Sequence, residues 1–168
     1  MEFRVLKRED DRTRFQCGQQ DLDTFFRRYA GQNQFRHQIG VTYILVEGQD
    51  IAGYVTVSAH SVRLPPEVRR KLPYDQLPVL LIARLAVSEE HQNRGLGKRL
   101  LRECAYLAME QAEKFGCYGL ATHAKPEAVD FYRKYGFTSL SDPDEGGTQL
   151  HFLSLRHIRS SLDKWETG

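Results

Sequence analysis

The first half of the chain changes its hydrophobic pattern from strand to helix and back to strand. Residues 1–10 mix apolar and charged positions and predict a first β-strand. Residues 22–35 repeat apolar side chains at helical spacing, and Asp21 is the expected N-cap of that helix. Residues 41–59 hold two β-branched and aromatic runs around a polar turn with Gly48, which predicts a β-hairpin.

The second half alternates strand and helix patterns. Residues 79–87 are apolar except for Arg84, a pattern typical of a strand covered on both faces. The next segment predicts a helix with one apolar face, formed by Leu96, Leu100, Leu101, Cys104, Leu107 and Ala108. Residues 118–124 and 148–155 predict two further strands. Residues 126–137 begin with proline and have glycine near their end, which is typical of a helix.

This order of elements predicts an α/β fold, with a mixed central sheet flanked by helices. The chain shows no internal repeat, no low-complexity tract and no linker, so we expect one domain over residues 1–157. Residues 158–168 are expected to form a polar C-terminal tail that frays.

The bulk composition excludes several classes of protein. A chain of 168 residues with 40% hydrophobic and 27% charged residues is ordinary for a soluble globular protein. The net charge of +2 neither demands nor excludes a polyanionic partner. The charged opening is not a secretion signal, and no apolar run approaches the length of a membrane span, so we expect no membrane association.

The cysteines point to a reducing compartment. Cys17, Cys104 and Cys117 have the spacing of neither a metal site nor a redox motif. An odd, scattered set favours buried structural thiols over reactive ones. We therefore expect a cytoplasmic protein without a metal.

A glycine-containing turn, with the sequence EEHQNRGLGK at residues 89–98, carries the strongest chemical signal. It joins a buried strand to a helix, and helix N-termini present unpaired backbone N–H groups to anions. Gly95 and Gly97 allow close backbone approach, while Arg94 and Lys98 add positive charge. The order of residues fits neither a P-loop nor the three-glycine dinucleotide fingerprint. Taken alone, the turn has two possible interpretations: a phosphate-binding site, or a tight turn without a ligand.

The HQNRGLGK segment resembles the cofactor motif of the GNAT acyltransferases, Q/R-x-x-G-x-G/A. The resemblance implies the GNAT fold, with splayed parallel strands in a mixed sheet, and acetyl-CoA as the co-substrate. It also implies that the strand backbone at Leu85, Ala86 and Val87 binds the pantetheine arm. The residues expected to hold the pyrophosphate are Gln92, Asn93, Arg94, Gly95, Leu96, Gly97 and Lys98.

A second motif of the same family follows the next strand. Ala128, Tyr132, Gly136 and Phe137 match the pattern A-x-x-x-Y-x-x-x-G-F. The resemblance implies that Tyr132 is the catalytic residue, since attack of an amine on the thioester expels a thiolate that needs a proton. The alternative is that Tyr132 only packs in the core, as Phe131 is expected to do.

No side chain is marked as the general base. Glu89, Glu90, His60 and His123 are all candidates, and spacing favours none of them. A free α-amino group titrates near 7.7–8.0, and a neighbouring ester lowers that pKa further. Aminoacyl-tRNA carries such an amine, so with that substrate a dedicated base is unnecessary.

The N-terminal half resembles one branch of the family, the TacT-type toxins of toxin–antitoxin modules. The similar segments are F-x-C-G-x-x-x-L-D from Phe15 and A-G-Y-V-T-V-S-A from Ala52. The resemblance implies acetylation of aminoacyl-tRNA, a ribbon–helix–helix antitoxin and a homodimer. Two alternatives stay open: an acetyltransferase for a small amine or a protein N-terminus, and a non-catalytic module that binds acetyl-CoA.

Basic residues form clusters that suit a phosphate backbone or a solvated surface. They follow the first helix and precede the cofactor strand, at Arg27, Arg28, Arg36, His37, Arg63, Arg69, Arg70 and Lys71. Arg27, Arg28, Arg36 and Arg84 are the candidate contacts to tRNA. Arg84 stands in an apolar strand, where it either meets tRNA phosphate or pairs with an acidic residue.

Overall fold

The computed structural model describes residues 1–69 and 71–167. Arg70 and Gly168, which two of the sequence predictions include, lie outside the described residues. The strands are β1 (Glu2–Val5), β2 (Val41–Glu47), β3 (Asp50–Arg63), β4 (Gln76–Val87), β5 (Gly119–Ala124), β6 (Thr138–Ser139) and β7 (Gln149–Ser154). The α-helices are α1 (Gln20–Thr24), α2 (Pro66–Arg69), α3 (Leu96–Lys114), α4 (Val129–Lys134) and α5 (Leu155–Thr167).

The strands follow the order β1-β2-β3-β4-β5-β7-β6 in a seven-stranded sheet. β4 and β5 are parallel, whereas β1 with β2, β2 with β3, β5 with β7 and β6 with β7 are antiparallel. The predicted mixed α/β sheet flanked by helices is therefore confirmed. The chain divides into two compact units, and β3, β4 and α3 each contribute to both.

The first unit comprises Met1–Ser58 and Ala83–Glu103. Its core is an aromatic cluster in which the Tyr54 ring stacks on Phe26 at 4.3 Å between centroids. Phe15 meets both rings edge-on, at 4.8 Å from Phe26 and 5.3 Å from Tyr54. The Tyr54 hydroxyl donates to the Leu22 carbonyl at 2.8 Å, so the polar end of this buried side chain is satisfied.

The first helix differs from its prediction. α1 begins at Gln20 and places Asp21 inside the helix, so the predicted N-cap role of Asp21 is wrong. The structural carboxylate is that of buried Asp23, which accepts a hydrogen bond from the Cys17 N–H at 2.8 Å. The predicted single helix is also interrupted, because α1 continues as π-helical turns at Phe25–Tyr29 and Gln32–His37.

The second unit comprises Ala59–Ile82 and the chain from Cys104 onward. Residues 155–167 form helix α5, which corrects the expectation of a fraying tail. The reason is hydrophobic burial that the polar composition of the segment conceals. Ile158 is 0% exposed and Trp165 is 6% exposed, and the Trp165 ring lies edge-on to Tyr135 at 6.1 Å.

Candidate acetyl-transfer site

The turn before α3 has the backbone of an anion cradle. Asn93 and Gly95 have φ values of 62° and 76°, in the left-handed region that asparagine and glycine tolerate best. A β-carbon on Gly95 would meet no atom within 4 Å, so conformation and not space explains this glycine. The two left-handed residues turn the chain from β4 into the first turn of α3.

The start of α3 directs backbone N–H groups out of the helix. The Arg99 N–H bonds to the Gly95 carbonyl at 3.1 Å, and the N–H groups of residues 96–98 precede it in the first turn. Such groups lack acceptors within their own helix and lie at the positive end of its dipole. A diphosphate fits this position, and Gly97 leaves its approach free of a side chain.

Gln92 acts on the protein itself. Its Nε2 donates to the Val87 carbonyl at 3.0 Å and to the Cys17 carbonyl at 2.8 Å. The Glu89 N–H also bonds to the Gln16 carbonyl at 2.8 Å. The side chain that matches the family motif therefore attaches the turn to the end of β4 and to the segment before α1.

Arg94 is held by a carboxylate that no sequence pattern indicated. Its two Nη atoms donate to the Glu47 carboxylate oxygens, each at 3.2 Å, and the His91 Nε2 lies 3.2 Å from the same carboxylate. Hydrogen bonding and charge from Arg94 lower the pKa of the Glu47 carboxyl. The Ser88 Oγ lies 3.0 Å from the His91 Nδ1, which fixes the imidazole. Glu47 ends β2, 47 residues before Arg94, so local spacing could not reveal the pair.

The last residues of β4 differ in how deeply they are buried. Ala86 is 5% exposed and belongs to the aromatic core, whereas Leu85 and Val87 are half-buried. The parallel register of β4 with β5 ends at the pair Ile82 and Thr122, and β4 continues to Val87. This geometry suits the predicted pantetheine strand, although the Val87 carbonyl already accepts the Gln92 amide.

Tyr132 lies in α4, and its side chain is 5% exposed. Its ring centroid is 5.1 Å from that of Phe131 and 5.2 Å from that of Phe137. Burial raises the pKa of its phenol, and this outweighs hydrogen bonding from the Thr122 side chain, which lowers the pKa. Tyr132 therefore packs in the core and also keeps its proton at neutral pH, as a general acid must.

One of the two roles expected of Arg84, pairing with an acidic residue, differs from the contacts that its side chain makes. Its guanidinium lies over the Phe25 ring, 4.7 Å from the centroid, and its Nη1 donates to the Ala83 carbonyl at 3.0 Å. An aromatic ring thus takes the place of the expected acidic partner. The residue is exposed, and it lines an open depression together with Gln20, Asp21, Thr24, Phe25 and Tyr29.

The other basic candidates differ in their surroundings. Arg27 is exposed, but both its Nε and its Nη2 donate to the Phe15 carbonyl. Arg28 and Arg36 are exposed on the turns that follow α1. Arg69 donates to the Leu72 and Tyr74 carbonyls at 3.0 and 3.2 Å, within its own loop.

The four candidate bases, Glu89, Glu90, His60 and His123, are all exposed. Within residues 1–69 and 71–167, histidine, cysteine and carboxylate side chains form no group of three or more that could hold a metal ion. None of the helices in those ranges has the length and apolar character needed to cross a membrane.

The chain is similar to known proteins in both sequence and structure. Residues 38–139 match the family model described as Acetyltransferase (GNAT) domain. The chain is 35% identical over 159 residues to the tRNA-acetylating toxin of Mycobacterium tuberculosis, with 90% of each chain covered. A crystal structure of a tyrosine-to-phenylalanine mutant of KacT matches with a TM-score of 0.81 and 28% identity, covering 95% of this chain and 99% of that one. The structure of AtaTR bound with AcCoA matches with a TM-score of 0.79 and 25% identity, covering 95% and 96%.

Proposed function

The chain belongs to the GNAT family of N-acetyltransferases, and on that basis we propose that it acetylates the α-amine of aminoacyl-tRNA as a translation-blocking toxin. The observation that carries the proposal is the 35% identity to a tRNA-acetylating toxin, which extends over 90% of both chains. The similarity includes the N-terminal half as well as the cofactor motif. A shared need for acetyl-CoA alone would not require that extent.

The turn before α3 forms the central part of the proposed acetyl-CoA site. Bound acetyl-CoA supplies an acetyl thioester, and the chain has to hold its diphosphate and its pantetheine arm. The backbone N–H groups of residues 96–98 bind the diphosphate, and the left-handed Asn93 and Gly95 position them. Gln92 and Arg94 act indirectly, because their side chains hold the turn to Val87 and Glu47. The backbone of Leu85, Ala86 and Val87 lies beside the pantetheine arm.

Tyr132 is the general acid of the proposed reaction. When the amine has attacked the thioester carbonyl, the C–S bond breaks and the sulfur takes the phenolic proton. The nitrogen loses one hydrogen as the amide forms, so the phenol is restored and the exchange is balanced. An α-amine of low pKa attacks in its neutral form, which explains why no buried carboxylate or histidine has to act as the base.

Arg28, Arg36 and Arg84 are the proposed contacts to tRNA, because all three are exposed and lie in the first unit. Arg27 is less suited, since its guanidinium is already bonded to the Phe15 carbonyl. Partners of this chain are proposed on the toxin resemblance: a ribbon–helix–helix antitoxin, a second copy in a homodimer, and a cytoplasmic location where charged tRNA is found.

The proposal is tested by incubating the protein with radiolabelled acetyl-CoA and bulk charged tRNA. Label should appear on the aminoacyl group and be released when the aminoacyl ester is hydrolysed. Tyr132→Phe should lower kcat by about 10²–10⁴ while acetyl-CoA affinity stays nearly unchanged. Tyr135→Phe is the matched control, because Tyr135 is half-buried one turn away and packs on Phe131 and Trp165.

Other outcomes separate the alternatives. Label on small amines or protein N-termini without tRNA would replace the acceptor and leave the chemistry intact. Binding of acetyl-CoA with no transfer to any acceptor would indicate a non-catalytic module. A Tyr132→Phe variant with unchanged turnover would remove Tyr132 from the mechanism.

A further inference from the structure

The aromatic core of the first unit reaches the surface at the open depression beside Arg84. Two aromatic residues, one arginine and three polar residues line this depression: Phe25, Tyr29, Arg84, Gln20, Asp21 and Thr24. All six belong to the first unit. The proposed binding of acetyl-CoA and the proposed proton transfer do not involve this depression.

A π-helical turn places the two aromatic side chains of the depression. It spans Phe25–Tyr29, and the Ala30 N–H bonds to the Phe25 carbonyl, five residues earlier. Such turns are rare and are frequently found at functional sites. Phe25 is 8% exposed and its ring stacks on Tyr54, whereas Tyr29 is 49% exposed. Tyr29 joins none of the aromatic pairs formed by the described residues of the first unit, so its ring offers an open stacking surface.

Phe25 holds Arg84 at the border of the same depression. The guanidinium carbon lies 4.7 Å from the centroid of the Phe25 ring, and Nη1 donates to the Ala83 carbonyl at 3.0 Å. These two contacts restrict an exposed side chain before any ligand arrives, which lowers the entropic cost of binding. Aromatic rings and guanidinium planes are the surfaces on which proteins stack unpaired nucleobases.

The polar side chains of the depression suit a base better than a phosphate. The Asp21 carboxylate repels a phosphate placed inside the depression. The Gln20 amide has both a donor and an acceptor, the combination that pairs with N7 and the N6 amino group of adenine. Arg28, in the same π-helical turn as Tyr29, is exposed and suits the phosphate backbone of the same strand.

We propose that this depression binds the unpaired 3′-terminal base of the RNA acceptor, with the base stacked on the Tyr29 ring and bordered by Arg84. The inference rests on the proposed function and deepens it, because the aminoacyl ester of charged tRNA is carried by its 3′-terminal adenosine. A single-stranded end has bases whose faces are free, whereas bases in a duplex are already stacked. The N–H edges of the guanidinium stay available to a phosphate of the same nucleotide.

The test measures binding of uncharged RNA to the full chain, so it requires no acetyl transfer. A short single-stranded RNA that ends in CCA, with fluorescein at its 5′ end, is compared by fluorescence anisotropy with the same RNA lacking the terminal base. The base should lower the Kd of the wild type about five- to 150-fold, the effect of one base–aromatic stack. Tyr29→Ala should bind both RNAs equally, because the stacking surface is lost. Tyr29→Phe should keep the difference, because it keeps the ring.

Two further variants sharpen the comparison. Tyr74→Ala is the matched control, because Tyr74 is 67% exposed but lies in the second unit and does not line the depression. It should leave the preference for the terminal base unchanged. Gln20→Ala should lower the preference for a terminal adenine over a terminal uracil about fivefold, while stacking on Tyr29 persists. Because Tyr29 is half exposed, the Tm of Tyr29→Ala should stay close to that of the wild type.

The outcomes distinguish this inference from the proposed function. If the wild type binds the two RNAs equally, the nucleobase site is wrong, even where charged tRNA is acetylated. If Tyr29→Ala weakens both RNAs to the same extent, Tyr29 does not stack on the base and the inference is also wrong. If the preference depends on Tyr29 but charged tRNA is not acetylated, the proposed function fails and the nucleobase site stands.

One result would assign the depression to another part of the substrate. If Tyr29→Ala leaves binding of uncharged RNA unchanged but raises the KM for tRNA charged with one particular amino acid, the depression holds the aminoacyl side chain. The inference is then wrong, and the proposed function stands.

Discussion

Gly53 offers a sharp test of how the core holds the proposed cofactor strand. It is buried in β3, within the segment that resembles the toxin branch. A β-carbon on Gly53 would lie 3.0 Å from the Ala86 carbonyl oxygen, 3.3 Å from Leu100 Cδ1 and 3.7 Å from Val87 Cα. The first two contacts are tighter than ordinary van der Waals distances. Gly53→Ala must therefore displace the end of β4 by a few tenths of an ångström.

The expected cost follows from overpacking. Extra carbon in a well-packed core destabilises a protein by about 1–3 kcal/mol. For a chain of this size, each kcal/mol lowers the Tm by about 2–4 °C, so the Tm of Gly53→Ala should fall by about 2–12 °C. If about 1 kcal/mol of the distortion falls on the Ala86 and Val87 backbone, the Kd for acetyl-CoA rises about fivefold. Differential scanning calorimetry and isothermal titration calorimetry measure the two effects.

Gly48→Ala is the matched control. Gly48 has a φ of 64°, and a β-carbon there would meet no atom within 4 Å. Its cost is backbone strain alone, about 1–2 kcal/mol, so the Tm should fall without a change in acetyl-CoA affinity. A Gly53→Ala variant with wild-type Tm would refute the packing argument. A lowered Tm with unchanged Kd would refute the link between this strand and the cofactor.

Three other predictions concern charge and protonation. Glu47→Gln should raise the Kd for acetyl-CoA about two- to fivefold, because the exposed bidentate pair that holds Arg94 is lost; tighter binding by calorimetry would contradict this. The affinity for tRNA should fall steeply with salt, and Arg84→Ala should reduce the slope of log K against log salt by about 1; an unchanged slope would exclude a phosphate contact. Burial raises the pKa of the Cys17 thiol to about 11, so the unfolded chain loses this proton first as the pH rises. The free energy of unfolding should therefore fall between about pH 8.5 and about pH 11 in urea titrations, and Cys17→Ala should lack that part of the fall.

Local patterns predicted most of the elements. The turn before α3 was recognisable because Gly95, Gly97 and a helical pattern of apolar residues lie within a few residues of one another, although the two positive-φ residues are Asn93 and Gly95. The same holds for α4, whose proline lies just before its start and whose Gly136, with a φ of 96°, follows its end. The strands, the β-hairpin and the mixed sheet were also predicted, because they depend on the spacing of apolar residues along the chain.

Partnerships between distant residues needed the tertiary structure. Nothing local connects Glu47 with Arg94, Gln92 with Cys17, or Arg84 with the Phe25 ring. Helix α5 was missed because its buried residues, Ile158 and Trp165, are few and separated by polar ones.

The candidate site likewise has one part that local sequence patterns predicted and another that only the tertiary structure revealed. The amino-acid sequence alone was enough to identify the anion cradle before α3 and Tyr132 as candidate site residues. The reason is that backbone conformation and helix polarity are set by neighbours along the chain. Only the folded structure decided that the Tyr132 side chain is buried and that the Thr122 hydroxyl donates to the Ile82 carbonyl. Hydrogen bonds of this kind depend on which strands and helices pack together, and that choice is made by burial of apolar surface over the whole chain.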